Sequence, residues 1–187
     1  MRLFIAVEIP QTVRDALARL QSALSQLIPS EVRWSKAATI HLTLRFLGEA
    51  SEAQVAALQE RLAPGAPFSP FRFSPGSLGM FSSRGRPRVL FVDLRGTQPL
   101  EALAAWVDGK AEAAGFVREA RPFSPHLTLA RFTAAARRAP ILPELPAPLA
   151  REEILVDRFS LFRSHLGPQG ARHECLSSYP LLGEARS

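Results

Sequence analysis

Two short runs hold the residue types best suited to move protons around a small anionic centre. His41-Leu42-Thr43-Leu44 recurs as His126-Leu127-Thr128-Leu129, so the same tetrapeptide returns at a spacing of 85 residues, from 41 to 126. Alternate side chains of a strand share a face. His41 and Thr43 therefore point one way while Leu42 and Leu44 point into a core, and the same holds for His126 and Thr128 against Leu127 and Leu129. A single His-x-Thr-x on a half-buried strand is usually only a polar face. Two identical copies, placed equivalently in halves that have drifted almost everywhere else, weigh toward function. Histidine titrates near neutrality, so one copy can be neutral while the other is protonated. Such a pair suits attack and departure on opposite sides of a phosphorus centre, with the threonine hydroxyls on the non-bridging oxygens and arginine nearby. Competing chemistries fit less well. Zinc would need more than two ligands, yet neither histidine has a carboxylate or cysteine at ligand spacing, and no His-Glu-x-x-His occurs. A nucleophilic threonine would need a base facing it closely.

Strand parity separates the two arginines that follow the motifs. Arg45 lies four residues after His41 and is expected on the same face as His41 and Thr43. Arg131 lies five after His126 and is expected to face away, reaching a cleft only if the strand ends or bulges there. Arg84-Gly85-Arg86-Pro87-Arg88 sets three cations in one turn, which fits a phosphate-backbone contact and equally a solvated hairpin. Trp34, Phe46, Phe81 and Phe123 are candidates to stack a base, although aromatic residues at strand spacing are mostly core. The other two histidines, His165 and His173, flank the turn 167–170 and read as surface or packing residues.

The elements that must position these residues come in a repeating order. A strand over 3–7 is followed by a helix over 11–27, with Val13, Leu17, Leu20, Leu24 and Leu27 on one face. An extended piece over 32–34 and a strand over 39–47 follow, the latter ended by Gly48. Ser51 reads as the N-cap of a helix over 52–62. A proline-rich stretch leads to a weakly alternating segment over 71–80, a turn over 83–88, and a strand over 88–94 that resembles the first. The order then repeats: a helix over 100–114, an extended piece at 116–117, a strand over 123–132, a proline-rich loop over 140–148, and closing strands over 153–162 and 174–180. The expected fold is α+β, with two similar lobes related by a pseudo-two-fold axis. Each lobe is a mostly antiparallel sheet with helices on its outer face, and the cleft lies between them. Neither half is large enough to be well stabilised alone, so residues 1–187 read as one bilobal domain of duplicated halves, approximately 1–85 and 86–187.

Composition permits an anionic partner without naming one, since a GC-rich genome alone would also favour arginine over lysine. Of the 187 residues, 23 are basic and 17 acidic, for a net charge of +6, and there are only four histidines. Lys36 and Lys110 are the only lysines, so the positive charge is almost all arginine, which offers planar paired donors to phosphate oxygens. Cys175 is the single cysteine, which excludes an intramolecular disulfide and a cysteine-based zinc site. No signal-peptide pattern and no apolar stretch of spanning length is present. The expectation is a cytoplasmic protein with no membrane partner.

Taken together, the residues resemble the 2H phosphoesterases, and among them the bacterial RNA 2′,3′-cyclic phosphodiesterases, long called 2′–5′ RNA ligases. The likeness runs through Arg2-Leu3-Phe4-Ile5-Ala6-Val7, the run HLTLRFLGE from His41 to Glu49, Pro87-Arg88-Val89-Leu90-Phe91, Phe123-Ser124-Pro125-His126-Leu127-Thr128-Leu129-Ala130-Arg131, and a tail with Ser164-x-Leu166 and Gly170-Ala171-Arg172. One departure is His173, where the family commonly has an aromatic residue. The resemblance implies that a terminal 2′,3′-cyclic phosphate is opened to a 2′-phosphomonoester. His41 would be the general acid for the departing 3′-oxygen and His126 the general base for water. Thr43 and Thr128 would hold the phosphate, and Arg131 and Arg45 would balance its charge. It implies no metal and no cofactor, a reverse 2′–5′ ligation, and RNA ends or nucleotides bearing a 2′,3′-cyclic phosphate as partners of a monomeric enzyme. Other members act on 2′–5′-linked oligonucleotides or on ADP-ribose cyclic phosphate. A non-catalytic RNA-end binder is the remaining alternative.

Overall fold

The computed structural model describes residues 1–28, 31–167 and 170–183. The strands, in chain order, are β1 Arg2–Glu8, β2 Val32–Trp34, β3 His41–Glu49, β4 Phe71–Ser83, β5 Arg86–Arg95, β6 His126–Phe132, β7 Ile154–Val156, β8 Arg158–Gly167 and β9 Gly170–Pro180; the helices are α1 Gln11–Ser25, α2 Glu52–Leu62, α3 Gln98–Ala113 and α4 Ala147–Ala150. The strands form two antiparallel sheets, one in the order β3-β1-β8-β9 and the other β2-β6-β5-β4-β7. The expected α+β architecture of two related lobes is the one observed. Strand β3 corresponds to β6, β1 to β5, and β8 to β4. Their registers agree, since Glu8 lies opposite His41 and Asp93 lies opposite His126.

The sheets do not follow the two halves of the sequence. Strands β8 and β9 complete the sheet that β1 and β3 begin, while β2 from the first half joins the edge of the second sheet beside β6. The strand expected over 153–162 is in fact two strands in different sheets. Asp157 lies between them, and its carbonyl accepts from the Leu181 amide. The extended piece expected at 116–117 forms no strand; the Val117 carbonyl is instead taken by the Arg45 guanidinium. Strand β2 therefore has no counterpart in the other sheet. The hairpin between β4 and β5 is tighter than expected, with only Arg84 and Gly85 at its tip, both at positive φ (52° and 71°), as a two-residue hairpin of this twist requires. Pro168 and Gln169, in the turn expected between β8 and β9, lie outside the described residues.

The helices are amphipathic and shield the faces of the sheets that point away from the cleft. Val13, Leu17, Leu20 and Leu24 of α1 are buried, each such leucine contributing about 2 kcal/mol of apolar burial. Helix α2 opens with the Ser51–Gln54 capping box, which satisfies two free amides at its start. One continuous cluster of buried side chains, including Leu17, Leu42, Leu103 and Leu127, runs through both lobes. A smaller cluster of Phe4, Ala6 and Phe162 lies on the first sheet. Among the described residues no helix is long and apolar enough to cross a membrane.

Candidate active site

Strands β3 and β6 approach each other across the cleft, and each begins at its histidine. The sequence pattern placed these strand starts two to three residues earlier, and the reason for the difference is local. The carbonyl two residues before each histidine accepts a hydrogen bond from that histidine's own Nδ1–H, from His41 to Thr39 at 2.8 Å and from His126 to Ser124 at 2.7 Å. Pro125, with no N–H to give, further excludes ladder pairing before His126. A carbonyl can only accept, so Nδ1 carries the proton in both rings and Nε2 is the nitrogen left for chemistry.

Both imidazoles and both threonines, Thr43 and Thr128, line a single cavity of about 580 Å³ between the lobes. Aromatic rings hold each imidazole in place. Phe4 stacks on His41 at 4.6 Å, with Phe162 stacked behind it at 5.2 Å. Phe81 meets His126 edge-on at 4.9 Å, and Phe91 lies tilted at 5.3 Å. Gly79 faces Phe91 across the β4–β5 ladder, and a Cβ at that position would run into the Phe91 ring. Burial holds the proton affinity of His41 down to about 4, with smaller contributions from His173, Arg14 and His126. His126 is also lowered, first by burial and then by Arg131, with Asp93 acting the other way. Both rings are therefore neutral at neutral pH.

The two arginines sit opposite to what strand parity implied, and the cause is the same in each strand. The β1–β3 register skips Leu44, and the β5–β6 register skips Leu129. A bulge at the last leucine of each motif turns two successive residues inward, so Leu44 and Arg45 are both buried, as are Leu129 and Ala130. Arg45 is therefore directed away from the cleft. It pairs with Asp108 of α3 at 2.8 Å and with Glu119 at 3.5 Å, and it donates to the Val117 carbonyl. Arg131 comes round to the face of His126 and Thr128 and lines the cavity. The position equivalent to Arg131 in β3 is Phe46, half exposed at the cavity mouth.

Five cations line the cavity, Arg2, Arg33, Lys36, Arg121 and Arg131, and no Asp or Glu does so among the described residues. Trp34 and Phe81 line it as well, whereas Phe123 packs against the core. One residue outside the two motifs belongs here. His173 lines the cavity edge-on to His41 at 5.2 Å, and its Nδ1 is buried without a partner. The turn next to it fits a surface or a packing position, and the alternation along β9 carries the ring inward, where it packs against Phe4 and His41. His165, by contrast, pairs with Glu174 at 2.7 Å, consistent with a surface role.

Two facing lobes, each presenting a tautomer-fixed histidine and a threonine from the start of a strand, define a duplicated phosphoesterase fold, and the chain belongs to the LigT-like phosphoesterase family, whose model matches residues 7–91 and again 92–173. The RNA 2′,3′-cyclic phosphodiesterase of Thermus thermophilus is 36% identical, the match covering 98% of this chain and 92% of that protein. The protein of the same name from Bacillus subtilis is 31% identical, over 95% of each. The crystal structure of Escherichia coli LigT complexed with 3′-AMP superposes with a TM-score of 0.81 at 27% identity, covering 96% of this chain and 97% of that one.

Proposed function

We propose that this chain is an RNA 2′,3′-cyclic phosphodiesterase, a hydrolase that opens a terminal 2′,3′-cyclic phosphate to a 2′-phosphomonoester. The observation that carries the reading is the pair of imidazoles locked in the same tautomer and presented to one cation-lined cavity. In the proposed step, Nε2 of His126 takes a proton from water as its oxygen bonds to phosphorus. The P–O3′ bond breaks, and the proton on Nε2 of His41 passes to the departing 3′-oxygen. The enzyme ends with its proton moved from one ring to the other, and solvent restores the starting state. Thr43 and Thr128 hold the non-bridging oxygens, and Arg131 offsets the charge that builds on them. Arg45 has no place in this step, because its charge is engaged behind β3.

The low proton affinity of His41 fits an acid that becomes charged beside an anionic phosphate, since an adjacent negative charge favours imidazolium. Phe46, Trp34 and Phe81 offer faces for the terminal base. A ribose hydroxyl in place of water would give the reverse 2′–5′ joining. A cytoplasmic monomer acting on RNA ends without metal or cofactor is the setting that goes with this reading.

The test is turnover of an oligonucleotide ending in a 2′,3′-cyclic phosphate, with EDTA present. The expected product carries its phosphate on the 2′-oxygen. A 3′-phosphate product, or no turnover, overturns the assignment.

A further inference from the structure

The two sheets match strand for strand except at one edge, where β2 adds to β6 while β3 has no such neighbour. That unmatched strand brings Arg33 directly opposite Arg131, and both line the cavity. Like charges directly opposite in an antiparallel pair repel. None of the ion pairs among the described residues involves Arg33, Arg131, Lys36 or Arg2. The remaining cavity cation, Arg121, is paired with Glu119. A cyclic phosphodiester brings a single negative charge, which one arginine beside Thr128 can match. Four unpaired cations around it call for more anion than the scissile group supplies.

Their placement is directional. His126, Thr128 and Arg131 are successive positions on one face of β6, spaced by roughly 7 Å, two residues of strand rise. Arg33 stands abreast of the last of them, and Lys36 follows on the same connection toward β3. Resting on the phosphodiesterase reading above, we infer that Arg33, with Lys36, forms a second phosphate subsite, which takes the phosphodiester on the 5′ side of the terminal nucleoside. The enzyme is thereby adapted to the ends of RNA strands over free cyclic mononucleotides.

The experiment compares kcat/KM for a 2′,3′-cyclic mononucleotide, a trinucleotide ending in a 2′,3′-cyclic phosphate, and the same trinucleotide with its last internucleotide phosphate replaced by an uncharged methylphosphonate. The native protein should favour the charged trinucleotide by at least about tenfold, the lower range for a charge-assisted contact, and the methylphosphonate should lose most of that gain. Arg33→Gln should bring the trinucleotide-to-mononucleotide ratio close to one and reduce the salt dependence of trinucleotide turnover by about one counterion. Arg33→Lys should retain part of the ratio. Arg61→Gln, an equal loss of charge on the outer helix α2, should leave it intact. A native ratio near one, a ratio that survives Arg33→Gln, or a methylphosphonate as good as the phosphate overturns the subsite while the phosphodiesterase reading stands. Failure to turn over any of the three substrates overturns that reading and the subsite with it.

Discussion

The side-chain amide of Gln21 donates to the backbone carbonyl of Leu129 at 2.9 Å, joining α1 to the residue of β6 that the β5 register skips. The same amide donates to the Ser35 carbonyl at 2.8 Å, and the Ser35 amide also reaches Leu129. The buried carbonyl at the bulge is thus satisfied from two sides. On the opposite lobe, Asp108 of α3 supports the equivalent bulge through Arg45. Each helix follows a strand of one sheet yet buttresses the bulge of the other. Gln21→Leu keeps the volume but removes both bonds, and Leu129 retains Ser35. A loss of about 1 kcal/mol in urea unfolding is expected, together with a raised KM as Arg131 loses its fixed direction. A KM equal to the native value would separate the bulge from substrate binding.

Arg45 and Arg131 are expected to respond in opposite ways. Arg45→Ala leaves Asp108 and Glu119 without their buried partner and should cost about 3 kcal/mol of stability. Arg131→Ala should barely alter unfolding but lower kcat/KM by about 10- to 100-fold. Thermal melts run beside initial rates distinguish these outcomes, and the reverse pattern would refute the placement of both side chains.

Replacement of either His41 or His126 by Ala should reduce kcat by about 10²- to 10⁴-fold. The double replacement should fall well short of the product of the two losses, because the rings act in one step. Single-turnover rates of the three variants provide the measurement; a fully active His126→Ala enzyme would remove the acid–base pair.

Both histidines are held below the ordinary 6.5, His41 to about 4. The active form needs one ring protonated and the other neutral, so the bell in kcat/KM, which reports the free enzyme, should peak below pH 6.5. The two limbs belong to the pair and not to either ring alone. The kcat profile should lie at higher pH, since bound phosphate stabilises imidazolium. His173→Phe preserves an edge against His41 but removes a neighbour that depresses it, so the acidic limb should move upward. An optimum above pH 7 in kcat/KM would contradict the burial argument.

Folding follows the same sign. A histidine whose folded affinity is depressed binds more protons when unfolded, so stability is complete above 6.5 and is lost as the pH falls toward 4. For His41 the interval of about 2.5 units sets a ceiling of about 3 kcal/mol. Urea midpoints for the native chain and His41→Gln should converge as the solution is acidified from pH 7 to 4; parallel curves would show that the ring is not desolvated.

The paired faces of His41–Thr43 and His126–Thr128 were legible because period-two alternation survives through the first four residues of each strand. Helix α2 was legible down to its Ser51 cap, since that cap is a local hydrogen bond. Strict alternation misplaces Arg45 and leaves Arg131 dependent on a bulge, because the bulges at Leu44 and Leu129 leave no mark in residue type. A leucine followed by Arg or Ala reads as ordinary strand, and only the partner register reveals the extra residue. The division at Asp157 was hidden in the same way, as Ile154 to Phe162 is apolar enough for one strand and the change of sheet depends on distant partners. His173 was set aside for its position near a turn, although the strand beyond that turn decides where it points.

The pairing of β1 with β8 has a consequence for the order in which the protein comes into being. On a ribosome, β1 and β3 emerge early and can pair, but the far edge of β1 stays open until more than a hundred further residues have been made. His173, which lines the cleft, and Phe162, which stacks behind Phe4, arrive with that late segment. Such long-range closure folds slowly and leaves an unpaired strand edge exposed meanwhile. The nascent chain therefore carries its first histidine unwalled until β8 and β9 have been made, and the cleft is complete only once both have joined the first sheet.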